Sequence, residues 1–408
     1  MPENVPAQTA SESLTPVTVF CGFLGAGKTT LLRHLLAQAP HAGHGSTPAR
    51  WAAVVNDVAA LNIDAATVRA DIAAIADLPG ATELVALSDG CVCCSGADDL
   101  GEAIARLARD GRFSHIWVEA SGVADPRGIV NLFTRKNPFG KTLSDHARLA
   151  ALVTVIDVVA MAAETTKAAQ RGRVTTVGGE RPLFELMLEQ IECADVVVLN
   201  QCDRATPEGG EIQRAETLIQ GINTRAEILN TEHGQLAAET FLGRQRFDPR
   251  QTPASARWIQ ELNRLTSPAP LAALRPEPAP AYHDLKYGIS SLVYRARAPF
   301  DADRLGVLFA TGLPGVIRAK GFFWTTRSPD EMGFVSVAGG VVRWETLSVW
   351  WAARIAAGRA RLEDRPASVI ANWAEPHGDR RQEIVLIGTG VRERETELKA
   401  AIENCLTS

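Results

Sequence analysis

The chain of 408 residues lacks a hydrophobic run long enough to cross a bilayer, which takes about 18 consecutive apolar residues. It also lacks a basic excess, because 42 lysines and arginines face 47 aspartates and glutamates, a net charge of −5. A general nucleic-acid binder has the opposite balance. These absences predict a protein that neither spans a membrane nor binds nucleic acid.

Residues 1–15 lack the basic start and apolar middle of a signal peptide. We therefore expect a disordered tail over 1–15 and a cytoplasmic protein. The seven cysteines are an odd number, so a secreted disulfide framework is not expected either. Four of them lie scattered in apolar surroundings and are predicted to be buried thiols: Cys21, Cys193, Cys202 and Cys405.

The pattern of the chain changes along its length, which exceeds that of one ordinary domain. Over 16–262, short β-rich runs alternate with helical patterns, as in a parallel sheet covered on both faces. Residues 263–282 are rich in proline and predict a linker. Mixed strand and helix patterns over 283–408 predict a smaller α+β domain after an α/β domain. Helical patterns in this last part lie at 301–310, 346–358 and 392–405.

The most specific motif is Gly22-Phe-Leu-Gly25-Ala26-Gly27-Lys28-Thr29, which fits the phosphate-binding loop (P-loop) pattern at every fixed position. A β-rich run precedes it, and a helical pattern that opens with Thr30 follows. The glycines let backbone N–H groups approach phosphate oxygens at a helix N-terminus. Lys28 reaches the outer phosphates, and the Thr29 hydroxyl ligates Mg²⁺. The motif predicts a P-loop NTPase with a nucleoside triphosphate site.

Polar residues follow three other strand-like runs, at Asn56-Asp57, Glu119 and Asn200. Ligands of parallel sheets bind at the carboxyl ends of the strands. We therefore expect these residues on the same side of the sheet as the P-loop.

A second motif, Gly90-Cys91-Val-Cys93-Cys94, places three thiols within four positions. Such a thiolate-rich group suits Zn²⁺, Cu⁺ or related ions. No second C-x-x-C accompanies it, which excludes a structural zinc finger, and three ligands leave a tetrahedral ion one open position. Two alternatives remain: redox chemistry between neighbouring thiols and three structural cysteines in a turn.

Together, the P-loop and the cysteine motif make the chain resemble the CobW-type metallochaperone GTPases, a branch of the SIMIBI-class P-loop proteins. The resemblance runs from about residue 16 to the C-terminus. The further segments that carry it are Val55-Asn-Asp57, Asn62-Ile-Asp64, Glu119-Ala-Ser-Gly122, Ala124-Asp-Pro126, Gln190-Ile-Glu-Cys-Ala-Asp195, Arg318-Ala-Lys-Gly-Phe-Phe-Trp324 and Gly378-Asp-Arg-Arg-Gln-Glu-Ile384.

The resemblance implies a GTPase whose hydrolysis of GTP to GDP and phosphate gates transfer of a divalent metal, zinc first, to a client metalloprotein. It implies Lys28, Asp57 and Glu119 as catalytic residues, with Asp57 in the first switch and Glu119 opening the second. Thr29 would hold Mg²⁺, and a monomer or weak homo-oligomer is expected. The transferred ion (Zn²⁺, or Co²⁺ or Fe²⁺) would be held by Cys91, Cys93 and Cys94. The implied GTP-binding residues are Gly22, Gly25, Ala26, Gly27, Lys28, Thr29, Thr30, Gly122, Asn200 and Asp203.

Two positions depart from the family pattern. The base-recognition motif Asn-Lys-x-Asp is Asn200-Gln201-Cys202-Asp203 here. Asp203 keeps acceptors for the guanine N1 and N2 positions, but Gln201 lacks the stem and charge of a lysine, so we expect a weaker preference for GTP. Ala60 stands where relatives often carry a glutamate, which leaves the fourth metal ligand open, with Asp57 as a substitute.

Three other functions stay open at this stage. One is cobalt or iron insertion for cobalamin synthesis or nitrile hydratase. Another is a P-loop small-molecule kinase, which leaves the cysteine motif unexplained. The third is a non-hydrolysing metal store, which the presence of Lys28 and Thr29 disfavours. The general order in which protein sites bind divalent metals does not by itself identify the physiological ion.

Overall fold

The computed structural model divides into two compact units. The first unit comprises Met1–Met161, Glu189–Ile212 and Arg225–Ser255, and the second comprises Ala162–Leu188, Gln213–Thr224 and Ala256–Ser408. The structure describes residues 14–39, 50–56, 81–87, 96–136, 140–170, 174–176, 183–206, 208–252, 256, 259 and 289–407. Outside these ranges lie residues 1–13 of the predicted tail, Asp57, the cysteine motif and the predicted linker 263–282.

The described strands are numbered in chain order. They are β1 Thr15–Cys21, β2 Trp51–Asn56, β3 Ala81–Leu87, β4 His115–Glu119, β5 Ala147–Asp157, β6 Val174–Thr176, β7 Val196–Asn200, β8 Glu227–Asn230, β9 Ile289–Ala296, β10 Val316–Phe323, β11 Glu331–Ala338, β12 Val341–Val349 and β13 Gln382–Thr389.

The described α-helices are numbered in the same way, and none of them is long and apolar enough to cross a membrane. They are α1 Lys28–Leu36, α2 Gly96–Asp110, α3 Pro126–Thr134, α4 Val158–Gln170, α5 Leu183–Glu192, α6 Glu211–Ile222, α7 Ala302–Thr311, α8 Trp351–Ala356, α9 Ala367–Ala371 and α10 Glu395–Glu403.

The first unit contains a seven-stranded sheet in the order β3-β2-β4-β1-β5-β7-β8, with every pair parallel. Its central strands β1, β4, β5 and β7 are mostly apolar on both faces, because each face packs against its own core. One core joins Val17 and Val118 to apolar residues of α2 and α3. The other joins Phe20 and Trp117 to the leucines of α1. Burial on both faces explains the continuous apolar runs seen in the sequence.

The strand order places β1 at the point where the chain changes direction across the sheet. The chain builds β2, β3 and β4 on one side of β1 and then crosses to β5, β7 and β8 on the other. Such a switch point leaves a crevice at the carboxyl end of the strands. The P-loop begins there, directly after β1.

The second unit contains a six-stranded sheet in the order β6-β12-β11-β10-β13-β9. Its pairs are antiparallel except β6–β12. One face packs Ala319, Val337 and Leu386 against apolar side chains of α7 and α10. The alternate residues of β10, Arg318 and Lys320, are also buried and belong to the opposite face.

The predicted fold class is confirmed: a parallel α/β sheet of P-loop type is followed by an α+β part with its own sheet. The helix predicted at 346–358 is wrong in its first part. Residues up to Val349 belong to β12, paired with β11, and the helix α8 begins only at Trp351. The other two helices predicted in this region are present as α7 and α10.

Candidate nucleotide site

The P-loop has a backbone that only glycine accommodates at two points. Gly22 has a φ of 139°, and a Cβ there would lie 2.2 Å from the carbonyl oxygen of Val155. Gly27 has a φ of 95°, and a Cβ there would lie 2.2 Å from Asn200 Nδ2. The loop is therefore held close to β5 and to the end of β7, with α1 starting directly after it.

The side chains of Lys28 and Thr29 meet the loop and the adjacent strand. Lys28 is 6% exposed, and its Nζ donates a hydrogen bond to the carbonyl oxygen of Phe23 at 3.2 Å. Thr29 Oγ1 donates to Glu119 Oε1 at 2.7 Å. Glu119 reaches this position because β4 pairs with β1 in the register that sets it beside Phe20. The first turn of α1 and the end of β4 thus bring a buried ammonium, a hydroxyl and a carboxylate to one place.

The loop after Glu119 also lies against the P-loop. A Cβ at Gly122 would come within 2.9 Å of the backbone nitrogen of Leu24. The loop ends where the side chain of Asp125 accepts a hydrogen bond from the backbone N–H of Arg127 and so caps α3. This explains Ala124-Asp-Pro126 in physical terms, since aspartate is a preferred cap and proline suits the first helical position.

The motif after β7 is bonded to the P-loop by two side chains. Asn200 Nδ2 donates to the carbonyl oxygen of Ala26 at 2.9 Å, and Asn200 Oδ1 accepts from the backbone N–H of Gly234 at 2.9 Å. Gln201 Nε2 donates to the carbonyl oxygen of Gly25 at 3.1 Å. Gln201 thus supplies a hydrogen-bond donor to the P-loop, which the sequence interpretation of this position did not foresee.

Asp203 lies in the turn Cys202–Arg204 after β7, and its side chain is 28% exposed. Its Oδ2 is 3.6 Å from Nε2 of His233, a residue in left-handed backbone conformation. No local sequence pattern marks His233, because its approach to Asp203 depends on how the segment after β8 returns to the sheet. The structure therefore adds an imidazole beside the predicted base-binding carboxylate.

The residues present fit Mg²⁺ and the phosphates of a nucleotide. Hydroxyl and carboxylate oxygens, such as those of Thr29 and Glu119, are the ligands that Mg²⁺ prefers. Lys28 and the backbone of a glycine loop at the start of a helix suit phosphate oxygens. Asn200 and Gln201 tie the predicted base-binding turn to this loop.

The residues of the predicted metal-transfer site lie outside the described residues: Asp57, Cys91, Cys93 and Cys94. Within the described ranges, no group of three His, Cys, Asp or Glu side chains could hold a metal ion. The predicted role of the three cysteines stays a prediction.

Of the four scattered cysteines, Cys21, Cys193 and Cys405 are buried, as predicted. The prediction is wrong for Cys202, which is half-buried because it lies in the turn after β7. Burial raises the pKa of Cys21 to about 12 and that of Cys193 to about 11. These two thiols therefore stay protonated at neutral pH, unlike the thiolates that bind metal.

Comparison with known families and proteins gives matches along most of the chain. The family model described as "CobW/HypB/UreG, nucleotide-binding domain" matches residues 16–230. The model described as "Cobalamin synthesis protein cobW C-terminal domain" matches residues 289–406.

Similar proteins include the zinc-regulated GTPase metalloprotein activator 1 of Dictyostelium discoideum. It is 32% identical over 406 residues, which cover 96% of this chain and 79% of that protein. The zinc chaperone CobW of Pseudomonas aeruginosa is 31% identical over 248 residues, 59% of this chain and 62% of that protein. The crystal structure of zinc-bound YjiA GTPase from Escherichia coli aligns with 97% of this chain and 99% of that chain, at 19% identity and a TM-score of 0.38.

The two family matches fall in the order in which the motifs occur, with the P-loop, Glu119 and Asn200 inside the first and Arg318 to Trp324 inside the second. The chain therefore belongs to the CobW family of P-loop proteins.

Proposed function

We propose that this chain is a cytoplasmic GTP-dependent metallochaperone. It binds GTP with Mg²⁺ at the P-loop, hydrolyses the γ-phosphate bond, and uses the change to control a zinc ion destined for a client metalloprotein. The observation that carries the proposal is the 2.7 Å bond from Thr29 to Glu119 beside the buried Lys28. That arrangement supports a working Mg²⁺–nucleotide site and disfavours a vestigial one.

Each residue of the nucleotide site has its own role in this proposal. Lys28 would neutralise charge on the outer phosphates, and the oxygens of Thr29 and Glu119 would hold Mg²⁺. The ion would supply positive charge that offsets the negative charge developing during hydrolysis. Asn200 orients the turn whose Asp203 accepts hydrogen bonds from guanine.

The cargo site in this proposal is the group Cys91, Cys93 and Cys94. In sequence it lies between Asn56, which ends β2, and Glu119, which ends β4. Both strands end on the side of the sheet where the P-loop begins. The names of the similar proteins, which are zinc chaperones and a zinc-regulated GTPase, support zinc as the first ion to test.

The proposed coupling between nucleotide and metal rests on the order of the sequence, in which the cargo cysteines lie between the two predicted switches. Loops ordered by a γ-phosphate relax after hydrolysis. We propose that this relaxation lowers the affinity of the cysteine site and releases the ion. Because cysteine must be deprotonated to bind zinc, affinity should also fall at low pH.

The test measures phosphate release and zinc binding by the full chain. The wild-type protein should release phosphate from GTP–Mg²⁺ without any acceptor molecule, and Lys28→Ala should abolish that release. Replacing Cys91, Cys93 and Cys94 together by serine should remove stoichiometric zinc binding and leave GTP binding intact. The matched control is Cys405→Ser, which alters a buried thiol in the second unit and should keep both properties.

Two results would contradict the proposal. Zinc binding that survives the triple replacement would place the cargo site elsewhere. Tight GTP binding without any phosphate release, with or without zinc, would favour a non-hydrolysing store.

A further inference from the structure

Gln190 is a buried side chain whose contacts the proposed function leaves unused. It lies in the last turn of α5 and is 2% exposed. Its Nε2 donates to two carbonyl oxygens of the loop after β4, that of Gly122 at 3.3 Å and that of Ala124 at 3.4 Å. Its contact with the loop is therefore made by a single amide group that is shielded from water.

The backbone that carries this side chain is held by the sheet. The main-chain carbonyl oxygen of Gln190 accepts a hydrogen bond from Thr154 Oγ1 of β5 at 2.9 Å, and both groups are buried. A second residue of the same helix turn, Glu192, lies 3.5 Å from Arg127 in the first turn of α3. The end of α5 thus contacts both the loop and the helix that follows it.

The loop that Gln190 contacts is the one that carries Glu119 at its start and Gly122 against the P-loop. Gly122 packs so closely on Leu24 that a Cβ would collide with its backbone nitrogen. A shift of this loop would therefore move Gly122 relative to the P-loop. The loop is contacted by the P-loop through Leu24 and by α5 through Gln190.

The chemistry of the contact requires glutamine. A primary amide offers two N–H donors, one for each carbonyl oxygen. An ionised glutamate has no donor for these oxygens, leucine has none at all, and asparagine is shorter by one methylene. Because buried carbonyl groups need donors, loss of this amide should loosen the loop while leaving the sheet in place.

We infer that Gln190 is a positioning residue that fixes the loop from Ala120 to Ala124 in the conformation that receives the γ-phosphate. This inference rests on the proposed function, since it assigns the loop to the γ-phosphate. Gln190 acts through the loop and does not touch the nucleotide. Its effect is therefore specific to the triphosphate state, whereas GDP binding depends on the P-loop and the turn after β7.

The test compares the dissociation constants of a non-hydrolysable GTP analogue and of GDP, both with Mg²⁺, for the full chain. Gln190→Leu should raise the dissociation constant of the analogue by about tenfold, as expected when buried carbonyl groups lose their donor. The dissociation constant of GDP should not change. The rate of phosphate release at saturating GTP should fall by a similar factor. If the role of Gln190 were only structural, the binding of both nucleotides would weaken by the same factor.

The matched control is Gln38→Leu. Gln38 also donates through Nε2 to two carbonyl oxygens, those of His34 and Leu236, and neither of them belongs to the loop after β4. The Gln38→Leu variant should leave the ratio of the dissociation constants of the analogue and of GDP unchanged. Thr154→Val, which removes the support behind Gln190 and keeps its amide, should shift the ratio in the same direction by less.

The outcomes separate the two proposals. A wild-type ratio in Gln190→Leu, or an equal loss for both nucleotides, would overturn the role of Gln190 and leave the GTPase intact. If Gln190→Leu does not fold, an unchanged ratio in Thr154→Val would overturn it instead. Failure of the wild-type chain to bind the analogue would overturn the proposed function itself.

Discussion

The two sheets of this protein place their polar side chains differently. In the parallel sheet, Glu119 and Asn200 stand at the carboxyl ends of strands whose interiors are apolar. In the second sheet, charged side chains such as Lys320 and Glu383 are buried within the strands. Glu119 contacts the P-loop region, whereas Glu383 contacts Arg295 and Arg381 of its own unit. The difference separates groups available to a ligand from groups that stabilise a fold.

The strongest test of this comparison uses the same substitution in both sheets, beginning with Glu119→Gln. Because the change removes charge at the proposed Mg²⁺ site, phosphate release should fall by roughly 100-fold. The thermal midpoint should stay near that of the wild type, since the amide still accepts the hydrogen bond of Thr29. Phosphate release and thermal unfolding on one preparation measure both effects. A stable variant with full activity would remove Glu119 from the chemistry.

Glu383→Gln is the counterpart in the second sheet. The Glu383 side chain is 3% exposed and lies 2.6 Å from Arg295 and 2.8 Å from Arg381. Removing a buried charge between two arginines should cost about 2 to 3 kcal/mol of unfolding free energy, a value reduced here because Arg295 is partly exposed. GTP hydrolysis per folded molecule should not change. Denaturant unfolding checks the first expectation, and a loss of hydrolysis without a loss of stability would contradict the comparison.

The sequence predicts the parallel sheet and its P-loop because their signals are local. A glycine loop between a strand and a helix occupies eight positions, and the strand ends follow directly from apolar runs. The contacts of Gln190 and His233 are not predictable in this way. Gln190 meets Gly122 across 68 positions of the chain, and only the packing of α5 brings them together.

The error at 346–349 has a local cause as well as a non-local one. Short apolar runs carry too few residues to separate a helical period from an alternating one. Pairing with β11 decides the matter in favour of a strand, and that pairing is also a non-local contact. The charged residues within the second sheet could not be assigned from sequence for the same reason.

His115, at the amino end of β4, extends the comparison to the other end of the strand that carries Glu119. It is 1% exposed, its Nε2 lies 3.0 Å from Thr18 Oγ1, and burial lowers its pKa to about 3. The folded protein therefore keeps His115 neutral between pH 6.5 and 3, whereas the unfolded chain takes up a proton. Stability from this group is present above pH 6.5 and is lost as the pH falls through that window, by about 2 kcal/mol between pH 6.5 and 5.

His115→Gln should flatten this part of the stability curve without affecting hydrolysis at neutral pH. Unfolding free energies at pH 6.5 and 5 provide the measurement. His146→Gln, a half-buried residue of the same unit, is the control and should keep the wild-type slope. An unchanged slope in His115→Gln would mean that another group titrates.

The smallest expected effect concerns Gln201, directly after the carboxyl end of β7. Gln201→Lys restores the family's base-recognition motif and keeps a donor for the carbonyl oxygen of Gly25, but it removes the acceptor that Gln201 Oε1 offers to Arg204. Arg204 keeps its ion pair with Asp157 at 3.4 Å, an exposed pair that contributes little to stability.

We expect the lysine side chain to raise the preference for GTP over ATP by about threefold. The free energy of such a change is smaller than that of a typical hydrogen bond. Parallel titrations of both nucleotides in the two proteins measure it. Equal affinities of the wild-type protein for GTP and ATP would show that Asp203 alone does not select guanine, and that the strand-end groups recognise phosphate without recognising the base.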